Sequence, residues 1–304
     1  MIDRLIDKID IMQNPTVVGL DPTLKIVPEF LQNEMFETYG KTPKAVAETF
    51  LKFNKEIIDA IADLVPAVKI QVAMYEQYGL EGLNAYIETA KYAKQKGLVV
   101  IGDVKRGDIS STAAAYAAHI EGVNIGGKEY DLWNEDAVTL NPYMGFDGIE
   151  PFINACNNKD RGLFILVKTS NPSGVELQDL LVDGTPIYDK AADLVNKWGE
   201  LAMGTKGYSK IGAVVGATYK EQGMELRKRM PHTFFLVPGY GAQGGSAKDL
   251  KDYFDKDGRG IIVNSSRGII AAYKKDSEAS DKDFAASARK AVLDMRADLQ
   301  GVMS

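Results

Sequence analysis

Val99-Val100-Ile101-Gly102-Asp103-Val104-Lys105-Arg106-Gly107-Asp108 begins as an apolar run and ends in charged residues set around a glycine. A strand with one wet face alternates apolar and polar residues. A nearly continuous apolar run marks a strand covered on both faces, as in a parallel sheet flanked by helices. Seven further runs have this character: Thr16–Leu20, Ala67–Ala73, Ala137–Asn141, Leu163–Lys168, Ile211–Gly216, Phe234–Val237 and Gly260–Asn264, with Leu98–Val104 as the third in chain order. Longer amphipathic stretches separate them. Ala45–Leu64 carries Val46, Phe50, Phe53, Ile57, Ile61 and Leu64 on one face, with Thr42 placed to cap and Pro43 at the first helical position. Tyr78–Lys96, ending at Gly97, and Ile187–Met203 read the same way. Eight such strand–helix units in 304 residues predict a (β/α)8 TIM barrel of class α/β. A doubly wound sheet is the alternative that periodicity leaves open. No linker divides the chain, so a single domain over residues 1–304 is expected.

Composition narrows the function classes. The formal net charge of −6 comes without any basic block, which argues against a nucleic-acid partner. A local cluster of lysine and arginine can still hold a small anion. Cys156 is the one cysteine, so no intrachain disulfide and no cysteine-based metal site can form. His119 and His232 have no neighbours at metal-ligand spacing. No apolar run reaches the ~20 residues that cross a bilayer. Residues 1–4 are charged, unlike a secretion signal, so a cytoplasmic protein is expected.

In a barrel of this kind, chemistry sits where strands end and βα loops begin. Asp103 and Lys105 lie two apart, so their side chains share one face of the strand. Each charge alone would be costly to bury, but adjacent opposite charges offset that cost, and the carboxylate favours the ammonium form. Lys69, in the second run, can approach the same cluster. Asp21 ends the first run, and Asp108 follows Gly107. Taken alone, the Asp103/Lys105 pair reads equally well as a structural ion pair. A second group tips the reading towards function. The seventh run exits into Pro238-Gly239-Tyr240-Gly241-Ala242-Gln243-Gly244-Gly245, and the eighth into Asn264-Ser265-Ser266-Arg267-Gly268. Glycines let backbone amides approach an anion, and Arg267 can clamp a phosphate through two hydrogen bonds. The loops after strands 7 and 8 are the usual phosphate site of such barrels.

At these residues the sequence resembles the orotidine 5′-monophosphate decarboxylase family. The resemblance rests on Asp103-Val104-Lys105-Arg106-Gly107-Asp108 (Asp-x-Lys-x-x-Asp), joined in order by Asp21, Lys69, the 238–245 loop and Arg267 over nearly the whole chain. It implies conversion of orotidine 5′-phosphate to uridine 5′-phosphate (UMP) and CO2 without metal or organic cofactor. It also implies a homodimer with shared active sites. Lys105 matches the proton donor to C6, Asp103 the carboxylate facing the departing group, and Asp108 an aspartate lent across the dimer. Lys69 and Asp21 match ribose-binding residues, with Lys69 completing the charged set. Thr112 matches a threonine also lent across the interface, and Ser170 a serine on the pyrimidine. Gln243 and Arg267 match phosphate ligands, assisted by the amide at Ser266 or Arg267. The chain exceeds the compact members near residues 24–41 and 171–186, as the longer bacterial branch does.

Two other readings compete. A metal-dependent sugar-phosphate decarboxylase or aldolase on the same scaffold resembles the chain in Asp-x-Lys-x-x-Asp, but such relatives carry a glutamate ligand where Lys69 stands. A non-catalytic barrel binding a phosphorylated ligand would need Arg267 and the glycine loop, with no use for Asp103, Lys105 and Asp108.

Overall fold

The computed structural model describes residues 1–241, 245–276 and 279–303. Eight parallel strands close into a barrel: β1 (Thr16–Leu20), β2 (Ala67–Gln71), β3 (Val99–Arg106), β4 (Ala137–Leu140), β5 (Gly162–Lys168), β6 (Ile211–Val215), β7 (Phe235–Val237) and β8 (Ile261–Ser265). β1 pairs with β2 on one side and β8 on the other, which excludes the doubly wound alternative. The second run is shorter than its apolar composition implied. It ends at Gln71, and Ala73 already opens a short helix, Ala73–Glu76.

The outer layer forms as the periodicity dictates. The helix Pro43–Ile61 starts where Thr42 accepts a hydrogen bond from the Ala45 amide at 3.3 Å. Its buried Phe50, Phe53, Ile57 and Ile61 join Val68, Ile70 and Val100 in the layer between strands and helices. The ring of Phe53 stacks on Phe284 at 5.0 Å, so the C-terminal helix Phe284–Gln300 closes the layer beside it. The lone cysteine, Cys156, sits in the helix Glu150–Lys159 with no exposed surface, and burial pushes its thiol pKa well up. Among the described residues no helix is long and apolar enough to cross a membrane.

The inner layer sets the position of the site. Side chains alternate along each strand, so every second residue points into the barrel. At the lower end these are apolar: Val17, Ala67, Val99, Ala137 and Ile262. The helix Ile2–Met12 seals that end with Ile2, Leu5, Ile6 and Ile9. Its spacing of i, i+3, i+4 and i+7 is an amphipathic period that a reading confined to the charge of residues 1–4 passes over. Two residues further along β2, β4 and β8 the interior turns polar, with Lys69, Thr139 and Asn264. One pleat higher come Gln71 and Asp103. The barrel is therefore closed and greasy below, and open and charged above.

Candidate active site

Asp103 is the hub of the upper end. Its carboxylate accepts hydrogen bonds from four donors: Lys69 Nζ at 2.8 Å, Gln71 Nε2 at 3.0 Å, Lys105 Nζ at 2.5 Å and Thr139 Oγ1 at 2.9 Å. Burial pushes its pKa up, but the Lys69 and Lys105 ammonium groups outweigh that, and the carboxyl lies well below the usual range. Lys69 is 5% exposed. Burial alone would lower its pKa; Asp103 and Asp21 reverse the sign and hold it charged. Asp21 Oδ1 stands 3.7 Å from Lys69 Nζ, beyond hydrogen-bond reach. The three side chains Lys69, Asp103 and Lys105 thus form one chain of alternating charge, as the sequence predicts, with Asp21 at its edge.

Lys105 reaches Asp103 by a different route from simple alternation. The pairing of β3 with β4 slips between Gly102 and Arg106, and Lys105 adopts φ +46°. That left-handed conformation is strained for a residue with a Cβ. The Lys105 amide donates to Thr139 Oγ1 at 3.0 Å, which helps fix the kink. The kink leaves the Lys105 side chain 45% exposed at the mouth while its tip touches Asp103. A regular strand would have buried it alongside Asp103.

Two recesses open here. An inner one of about 150 Å³ is walled by Lys105, Thr139, Leu166, Ser170 and Val214. An outer one of about 320 Å³ is walled by Asp21, Gly239, Tyr240, Ser266 and Arg267. Lys69, Asp103, Pro238 and Asn264 line both, so the two are continuous. Arg267 is exposed, and its guanidinium has no hydrogen-bond or ion-pair partner among the described residues. Ser266 precedes the short helix Arg267–Ile270. Gln243 lies outside the described residues. Among the described residues Asp108 and Thr112 neither bond to this cluster nor line its recesses within one chain. Among the described residues Asp108 Oδ1 accepts only from the adjacent Ile109 amide, at 2.8 Å, and Thr112 is exposed on the helix Ser110–Glu121.

Ser170 owes its place to residues that the motif reading missed. Lys168, the last residue of β5, is fully buried. Its ammonium pairs with Asp179 and lies 5.0 Å from the ring centre of Tyr188 and 4.6 Å from that of Tyr219. Next to it, Gln178 Oε1 accepts from the Thr169 amide at 3.0 Å and Gln178 Nε2 donates to Thr169 Oγ1 at 2.6 Å. These bonds tie the segment 171–186 to the exit of β5. That segment holds a turn at Pro172–Gly174, the short helix Val175–Gln178 and a two-stranded hairpin, Leu181–Val182 with Thr185–Pro186. On the other side, Gly216 makes room: a Cβ there would come within 2.9 Å of Ser170 Cα. A buried lysine at a strand end is the one signal in the sequence that could have led to this latch.

Fold and site together define a barrel enzyme whose mouth presents a lysine–aspartate–lysine array beside a recess that ends at an exposed arginine. The chain belongs to the orotidine 5′-phosphate decarboxylase / HUMPS family, whose model matches residues 15–282. It is 46% identical over 291 residues to the orotidine 5′-phosphate decarboxylase of Rhodopirellula baltica, covering 94% of each chain. It is 44% identical to that of Petrotoga mobilis, covering 99% of this chain and 98% of the other. Among solved structures, Leishmania donovani OMP decarboxylase superposes with a TM-score of 0.71 at 29% identity, covering 97% of this chain and 98% of that one.

Proposed function

We propose that this chain decarboxylates orotidine 5′-phosphate to UMP and CO2, the last step of de novo UMP synthesis. The observation that carries this is the fourfold-bonded Asp103 between two lysines, continuous with the recess that ends at Arg267. In the reaction the C6–carboxylate bond breaks, CO2 leaves and the electron pair stays on C6. No neighbouring group delocalises that pair well. The Lys105 ammonium faces it, lowers its energy by electrostatics and then gives its proton to C6. Asp103 keeps Lys105 charged and aimed. Lys69 and Asp21 hold the ribose, Ser170 the pyrimidine, and Arg267 with Gln243 and the Ser266 amide the phosphate. Binding energy at the phosphate end serves to assemble the charged end.

Decay of pyrimidine absorbance on adding orotidine 5′-phosphate to purified protein tests the reading directly. Absence of any decay would remove it. The metal-dependent alternative places a divalent ion among carboxylates, whereas here Lys69 already supplies a cation 2.8 Å from Asp103. Activity therefore survives exhaustive dialysis against EDTA, and loss of activity restored by a divalent ion would favour the alternative. Arg267→Ala raises KM by about 10- to 100-fold, the size of a lost charge-assisted hydrogen bond, with a smaller change in kcat. An unchanged KM would take Arg267 out of the site.

The active unit is a homodimer in which Asp108 and Thr112 of one chain complete the site of the other. Neither side chain bonds to the Lys105 cluster of its own chain among the described residues, which supports this. Inactive Lys105→Ala and Asp108→Ala chains, mixed and reassorted at random, regain roughly a quarter of wild-type activity, since half the dimers are hybrids with one intact site. Hybrids that form yet stay inactive would refute the shared site. The protein works in the cytoplasm as one barrel domain, with the helix Glu29–Tyr39 and the 171–186 segment as its additions.

A further inference from the structure

We infer that Asn264 is a ribose ligand: its side-chain oxygen accepts a hydrogen bond from a sugar hydroxyl of the bound nucleotide, beside Asp21. This assignment rests on the functional reading above and adds a residue to it.

Asn264 points into the barrel from β8 and is 8% exposed. Its Nδ2 has Ser266 Oγ at 3.4 Å, but its Oδ1 is buried with no donor among the described residues. Asp21 Oδ1, in the same recess, is likewise buried without a donor. Buried acceptors are almost always satisfied. Two unsatisfied ones in one cavity mark a place for a ligand that brings donors. Gly19 makes the arrangement sterically possible. A Cβ at that position would stand 1.9 Å from Ser266 Oγ and 3.2 Å from Asn264 Oδ1, so any other residue would displace both side chains.

The kind of donor follows from topology. A phosphate carries no hydrogen to give at neutral pH beyond at most one, and it lies at the Arg267 end. The pyrimidine end is marked by Ser170 at the exit of β5, which stands across the barrel from β1. Asn264 on β8 and Lys69 on β2 flank β1, whose end carries Asp21. The β8–β1–β2 side of the mouth therefore presents two bare acceptors and one ammonium. That is a complement to a vicinal diol, in which each hydroxyl both donates and accepts. The sugar is the part of the nucleotide with this chemistry.

The test is a cycle of one residue against two hydroxyls. UMP, 2′-deoxy-UMP and 3′-deoxy-UMP are measured as competitive inhibitors of wild-type protein and of Asn264→Ala. In the wild type, removal of the hydroxyl that Asn264 binds weakens inhibition by about tenfold. Asn264→Ala weakens UMP by a similar factor, and removal of that same hydroxyl then costs nothing further. Additive losses for both deoxy analogues would overturn the assignment, including in favour of a bridging water or a contact to the base. Asn264→Leu, which keeps the volume without an acceptor, replaces the alanine variant if that one does not fold. A wild-type chain that neither turns over orotidine 5′-phosphate nor binds UMP would remove the functional reading and this assignment with it. Turnover with additive losses removes the assignment alone.

Discussion

Lys105→Ala lowers kcat by at least about 10⁴-fold, because one change deletes both the proton donor and the fixed cation beside the developing carbanion. General acid catalysis contributes about 10²–10⁴ in rate. A preorganised charge adds a further ~10²–10³. The loss falls on kcat more than on KM, since the ammonium does most for a charge that exists only in the transition state. Folding is nearly untouched. The side chain is 45% exposed, and alanine at this left-handed position is as strained as lysine, so the main structural loss is a partly solvated ion pair. Single-turnover kinetics beside a thermal melt separates the two effects. A variant that keeps kcat within tenfold of wild type would sink the assignment of Lys105. One that loses activity by unfolding would leave the chemistry to be tested with Lys105→Arg.

Asp103→Ala has the largest effect on stability. It strips the central acceptor from four donors and leaves Lys69 buried with only Asp21 near it, at 3.7 Å. Breaking a buried pair from one side costs about 3–5 kcal/mol. In a chain of 304 residues that lowers Tm by roughly 5–8 °C. Activity goes with it, because Lys105 loses its aim. The milder Asp103→Asn keeps the shape and exposes the pH linkage. The Asp103 pKa in the folded chain is below its ordinary value of 3.8. Its contribution to stability is therefore complete above that ordinary value and disappears as pH falls through the lower, folded one. Lys69 behaves in mirror image, its folded pKa lying above 10.5, so its contribution is complete below that pH and fades above it. The wild type thus loses stability steeply below about pH 4, and Asp103→Asn has a shallower acid limb. Identical acid limbs by denaturant titration would show that Asp103 is not the group responsible.

The sequence made some parts of this site plain and hid others for physical reasons. The barrel was legible because strands buried on both faces need nearly continuous apolar runs, and β1 through β8 have them. Lys69 and Asp103 were legible because charge inside such a run is expensive and so conspicuous. Gln71 and Thr139 share the inward side of their strands with Lys69 and support Asp103 equally, yet a glutamine and a threonine at a strand end are too ordinary to attract notice. The kink at Lys105 was invisible, since lysine gives no sign of a left-handed backbone. Alternation gave the right neighbour for the wrong reason. The latch between Lys168 and Asp179 depends on two rings, Tyr188 and Tyr219, brought together from separate parts of the chain. Only the fold relates them. Asp108 and Thr112 matched the family pattern without meeting the other site residues in one chain.

Cys156 gives the molecule a practical property. Its thiol is enclosed and held protonated, so maleimide and iodoacetamide reagents find no nucleophile there. The native protein is a silent background for thiol chemistry. A cysteine introduced at the exposed Ser173, in the segment tethered by Lys168, would be the one site to take a fluorophore. Its emission would then report on the surroundings of that segment with and without nucleotide, with no other residue needing to be changed.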